Sequence, residues 1–167
     1  MDARRVVALM GLPGSGKSSL AAWLAPRFGL ALVDRDRLRA ELFPDCRFTD
    51  AEKQAANRAV LERLERNCAT GLGSLVDGMT FSRESEREAV RRIALQHGYV
   101  YQALWLDCPI ELGITRIEGQ AHGAADRGAA LVREVAARFE APRDALRIDA
   151  TLPLEDIRRF AALALAS

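Results

Sequence analysis

Gly11, Leu12, Pro13, Gly14, Ser15, Gly16, Lys17 and Ser18 follow the spacing G-x-x-x-x-G-K-[ST]. Glycines at the first, fourth and sixth places let backbone N–H groups close around a phosphate with no Cβ in the way. A helix starting near Gly16 adds unpaired N–H groups and its positive dipole end. Lys17 is placed to reach the β- and γ-phosphates of a nucleoside triphosphate, and Ser18 to offer a hydroxyl to Mg²⁺. Ser19, the next residue, joins this ATP-contacting set. The plain alternative is a glycine-rich turn with an incidental lysine. A predicted strand before the run and a predicted helix after it supply the context the motif requires.

A second group follows the next predicted strand, in Asp34-Arg35-Asp36-Arg37-Leu38-Arg39. Ligands in open α/β sheets bind beyond the carboxyl ends of the strands, so these residues should face the phosphate loop. A carboxylate there can take the proton of an attacking hydroxyl, worth typically about 10² to 10⁴ in rate. Asp36 is the preferred base and Asp34 the alternative. Either also suits a helix N-cap, and the two roles can coexist. Arg39, one turn into the helix, could clamp an anionic or polyhydroxyl acceptor or lie in water.

Asp77 ends a third strand. It could hold magnesium waters, orient the acceptor, or simply begin a turn. Thr80 could bond substrate, and Arg83 and Arg87 could meet either substrate or water. Arg116 precedes a small, polar segment and Arg127 closes it, so both are candidates for the charge of a moving phosphoryl group. Gly119, Gly123 and Gly128 suit a mobile lid over roughly residues 116–128. His122 has no assigned role.

The elements that must position these groups alternate. Val6 to Met10 is a short apolar run before glycines, as in a buried parallel strand. Further strands are predicted at Leu30 to Val33, Ser74 to Asp77, Val100 to Leu106 and Leu146 to Asp149. Between them lie helical stretches from Lys17 to about Arg27, Asp36 to Phe43, Thr49 onward, Ser82 to Gln96, after Pro109, Ala129 to Glu140 and after Pro153. Thr49 and Glu52 form a capping box, and Ala56, Val60, Leu64 and Cys68 recur every four residues. The alternation means βαβ units around a parallel sheet.

The chain of 167 residues is the size of one domain, with 49% apolar and 28% charged residues. A net charge of +1 gives no overall field toward nucleic acid or an anionic membrane. Lysine occurs only at Lys17 and Lys53, a bias read as compositional. Cys46, Cys68 and Cys108 are scattered and odd in number, which argues against a disulfide framework. No apolar stretch approaches the roughly 18 residues of a membrane span, and a cytoplasmic protein is expected. The sequence carries no mark of an oligomeric state.

The chain resembles the small P-loop kinase family that includes polynucleotide 5′-kinases, gluconate kinase, chloramphenicol phosphotransferase and zeta toxins. The resemblance rests on Gly11 to Ser18, Arg35 to Arg39, Val76 to Thr80, and Leu106 to Pro109 leading to Arg116, and runs from Val6 to about Asp149. It implies an α/β, three-layer P-loop NTPase fold with strand order 2-3-1-4-5, helices on both faces and a small mobile lid. It also implies Asp36 as general base, Arg39 as acceptor-binding arginine, Asp77 as the acidic residue ending the third strand and Arg116 as the first lid arginine. The family's second lid arginine falls on Gln120, with Arg127 the candidate substitute.

These readings converge on a kinase that moves the γ-phosphate of MgATP to a hydroxyl of a small acceptor. The alternatives are a nucleotide-gated binding module, a toxin-like kinase and a nucleic-acid 5′-kinase. The missing arginine at Gln120 and the near-neutral charge weigh against nucleic acid.

Overall fold

The computed structural model describes residues 4–120 and 128–167. Five strands form one parallel sheet in the order β2-β3-β1-β4-β5. They are β1 (Arg5–Met10), β2 (Ala31–Asp34), β3 (Ser74–Asp77), β4 (Val100–Asp107) and β5 (Leu146–Asp149). The helices are α1 (Lys17–Arg27), α2 (Arg35–Leu42), α3 (Asp50–Ala69), α4 (Glu84–Gln96), α5 (Ile110–Glu118), α6 (Ala129–Arg138) and α7 (Leu154–Ala166). This is the strand order and three-layer arrangement implied by the resemblance. The lid segment, including His122, Gly123 and Arg127, falls largely outside the described residues.

The pleat of β1 divides the core. Val7 and Leu9 face Leu20 and Leu24 of α1 and Ile157 and Leu165 of α7. Val6, Ala8 and Met10 face Val60 and Leu64 of α3 and Val90 of α4. Because β1 is covered on both faces, its residues Val6 to Met10 are all fully buried, and the sequence reads as a continuous apolar run. A third cluster joins Leu12 of the phosphate loop to Ile114 and Ile117 of α5 and Val132 and Val135 of α6.

Local chemistry sets the helix ends near the site. Thr49 accepts from the Glu52 amide and Glu52 accepts from the Thr49 amide, which completes the expected capping box at the start of α3. The expected positions Ala56, Val60, Leu64 and Cys68 are its buried face. The helix predicted from Ser82 begins at Glu84, because Arg83 takes an extended conformation as N-cap. Among the described residues no helix is long and apolar enough to cross a membrane.

Candidate active site

Strand β1 lies between β3 and β4, so successive connections depart to opposite sides of it and leave a crevice at its carboxyl end. The phosphate loop fills that crevice. Gly16 is the N-cap of α1 in a left-handed conformation (φ 97°), and Lys17 opens the helix. The Gly11 amide donates to the Thr80 carbonyl at 3.1 Å, which ties the loop to the chain after β3. Lys17 is buried, and its Nζ donates to the carbonyls of Gly11 and Leu12, each at 2.9 Å.

The loop also rests on α5. Gly14 has φ 80°, and a Cβ there would lie 2.3 Å from the Gly113 carbonyl oxygen. Gly113 sits inside α5 with ordinary helical backbone, yet a Cβ on it would come within 2.9 Å of the Pro13 carbonyl oxygen. Gly113→Ala therefore tests the seating of the loop alone. It is expected to destabilise the fold by about 1–3 kcal/mol through overpacking. It should also weaken MgATP binding about tenfold, as the loop is pushed off its seat. Thermal unfolding and titration calorimetry read the two effects separately.

A cleft of about 480 Å³ opens beyond the loop. Gly14, Gly16, Lys17, Ser18 and Ser19 line one side, and Arg35, Asp36 and Arg39 of α2 line another. Thr80 also lines it, whereas Arg83 is exposed and is not part of its wall. Arg87 does not line this cleft either. It is buried, and its Nη1 donates to the Phe81 and Glu140 carbonyls at 2.9 and 2.7 Å. A larger apolar hollow of about 1050 Å³ lies along β4, β5 and α7, but none of the predicted site residues lines it.

The structure separates the two aspartates of the second motif. The Asp34 carboxylate is the N-cap of α2, accepting from the amides of Asp36 at 2.9 Å and Arg37 at 3.3 Å. Asp36 instead lines the cleft and accepts from Arg39 Nη2 at 3.0 Å. Arg39 is only 5% exposed, and its guanidinium stacks 4.6 Å from the centre of the Phe48 ring. Phe48 takes a left-handed backbone (φ 57°), a conformation that persists only where the surroundings over-determine it. Gly78, at φ 83°, passes so close to α2 that a Cβ would lie 3.0 Å from the Arg35 amide nitrogen. That contact sets the height of Asp36 relative to β3.

Asp77 pairs in register with Asp34 at the carboxyl ends of β3 and β2. It is 2% exposed, and its Oδ1 has no hydrogen-bond partner. Burial pushes its carboxyl above the usual carboxylate range. The Gly78 amide, the Ser18 hydroxyl and the Lys17 charge pull it back down, while Asp34 adds to the rise. A buried carboxylate with a lone oxygen, bonded to the phosphate-loop hydroxyl, fits a magnesium ion that keeps its waters and arrives with phosphates. Among the described residues no cluster of three acidic, histidine or cysteine side chains could hold a metal by itself.

Arg116 lies behind the loop. Its Nη1 is 3.5 and 3.4 Å from the Gly14 and Ser15 carbonyls, and its Nη2 donates to Ala150 at 3.0 Å. Gln120, at the place of the family's second lid arginine, does line the cleft. So do Lys53 and Asn57 of α3 and Arg138 of α6, none of which was a predicted site residue. The scarcity of lysine, read from the sequence as compositional, takes on a place in the structure. In a chain whose 24 basic residues include only two lysines, both lysines line this cleft.

Four similarities to known proteins accord with this fold. The chain is 28% identical over 131 residues to a probable adenylyl-sulfate kinase of Archaeoglobus fulgidus, spanning 74% of this chain and 79% of that protein. It is 27% identical over 168 residues to a shikimate kinase of Rhodopseudomonas palustris, spanning 92% of this chain and 74% of that protein. The crystal structure of a gluconokinase from Sinorhizobium meliloti superposes with a TM-score of 0.74 at 21% identity, over 99% of this chain and 94% of the other. Residues 6–142 match the family described as AAA domain (AAA_33), and the chain belongs to that family.

Proposed function

We propose that the protein is an ATP-dependent kinase, transferring the γ-phosphate of MgATP to a hydroxyl of a small-molecule acceptor. One observation carries the reading. The Asp36 carboxylate lines the same cleft of about 480 Å³ as Lys17 and Ser18, while its neighbour Asp34 is committed to the cap. A nucleotide switch has no need of a carboxylate there. The relatives named as adenylyl-sulfate kinase and shikimate kinase support the same class.

In this reading the loop amides and Lys17 hold the β- and γ-phosphates. Ser18 and Asp77 would hold Mg²⁺, which supplies charge neutralisation between the phosphates when bound. Asp36 takes the proton of the acceptor hydroxyl as its oxygen bonds to the γ-phosphorus and the bond to the ADP oxygen breaks. Arg39 holds Asp36 in place through its 3.0 Å hydrogen bond. Arg116 braces the loop from its carbonyl side, so its part is positioning rather than contact with the moving phosphoryl group. Thr80 stands on the acceptor side, and the reading expects the protein in the cytoplasm.

The test is product identity. ³¹P NMR of a reaction with MgATP and a productive acceptor should show one phosphate ester formed per ADP. Inorganic phosphate alone in that reaction would replace the kinase reading with a hydrolytic one.

A further inference from the structure

The cleft wall facing the phosphate loop is rich in donors. Lys53 and Asn57 stand four residues apart on α3, hence on one helix face, and both line the cleft. Arg35 Nε donates to Asn57 Oδ1 at 2.6 Å. That bond uses the amide oxygen of Asn57 and leaves its Nδ2 as the donor. The Lys53 ammonium makes no hydrogen bond or ion pair among the described residues and is half-buried. Arg138 enters the cleft from α6, tethered by Ser82 at 3.3 Å and Glu134 at 3.0 Å. Against these stand two carboxylates in the cleft wall, Asp36 and Glu86.

Such a wall suits one kind of ligand. A neutral polyol needs acceptors as well as donors, whereas an oxyanion takes donors only. In a cleft with low-dielectric walls an excess of one charge focuses the field on an incoming ion of the opposite sign. The chain as a whole carries a net charge of only +1, so the excess is local. Nor is the triphosphate its natural recipient: Lys53 and Asn57 lie on α3, which packs against α2 and strands β2 and β3, while Lys17 and Ser18 open α1 after β1.

We infer that the acceptor is anionic, an alcohol carrying a carboxylate or phosphate group that Lys53 Nζ and Asn57 Nδ2 receive while its hydroxyl lies at Asp36. The inference rests on the kinase reading above and assigns the substrate class and two specificity residues of the same site.

The experiment uses the full chain saturated with magnesium and a non-hydrolysable ATP analogue, so that the phosphate-loop site is filled. Inorganic phosphate, gluconate and the neutral polyol sorbitol are titrated separately into the wild type, Lys53→Met and Lys53→Arg. The phosphate and carboxylate probes should bind the wild type and sorbitol should not. Lys53→Met should weaken anion binding at least about tenfold, equivalent to 1.4 kcal/mol, and Lys53→Arg should restore most of it. Affinity for the analogue should be unchanged in both variants. Anion binding that is absent, or equal in wild type and Lys53→Met, overturns the anionic acceptor and leaves the kinase reading standing. Failure of the analogue to bind the wild type overturns both.

Discussion

Lys17→Ala should abolish productive use of MgATP. Its ammonium is held among the carbonyls of Gly11 and Leu12 at 2.9 Å, at the mouth of a helix whose first amides are unpaired. On the proposed kinase reading it serves the bridging region of the triphosphate in the ground state and the charge that grows there during transfer. Removing one preorganised donor of this type costs about 10² to 10³ in kcat, or about 3–4 kcal/mol. Loss of ground-state contacts adds a further fall in MgATP affinity. The fold itself should survive, because the loop keeps its Gly11 amide bond to the Thr80 carbonyl and its seat against Gly113 of α5. Calorimetric titration with MgATP, paired with circular dichroism, checks both halves. Unchanged MgATP affinity in a folded variant would show that Gly11 to Ser18 is an ordinary turn.

Asp36→Asn should separate binding from chemistry. Asparagine keeps an Oδ1 that can accept from Arg39 Nη2, so the buried guanidinium retains its partner and the cleft its shape. What is lost is the basic oxygen. Turnover should drop by about 10² to 10⁴ while MgATP affinity stays within about threefold. The companion change Asp34→Asn should do much less to turnover. Asparagine is as good an N-cap as aspartate, and Asp34 is already occupied by two α2 amides. If Asp34→Asn abolished turnover and Asp36→Asn did not, the base would be the capping residue.

Much of this site was legible because its parts are local. Phosphate loop, capping box and buried helix stripe each need only a few consecutive residues, and each stands where its spacing placed it. The sequence favours Asp36 over Asp34 as base, but spacing alone does not say which of them caps the helix. Two carboxylates two residues apart suit the same cap, and only the path of the backbone decides which one is used. Arg87 was invisible for a related reason. Its partners, the Phe81 and Glu140 carbonyls, are set by the return of the chain after α6, and a periodic pattern does not encode them. Arg83 was over-read, since its position beside Thr80 says nothing of the extended N-cap conformation that turns it to solvent. Lys53, Asn57 and Arg138 reach the cleft from two helices far apart in sequence, and tertiary packing alone unites them.

The central claim is transfer of the γ-phosphate with Asp36 as base. It is tested most directly by ADP release from MgATP, measured across acceptors of each class in wild type and Asp36→Asn. The acceptors are sugar acids, sugar phosphates, neutral polyols, nucleosides and 5′-hydroxyl oligonucleotides. The account predicts strong stimulation by acidic small molecules in the wild type, lost in Asp36→Asn with MgATP binding intact. Equal rates in the two proteins, or stimulation confined to oligonucleotides, would contradict it.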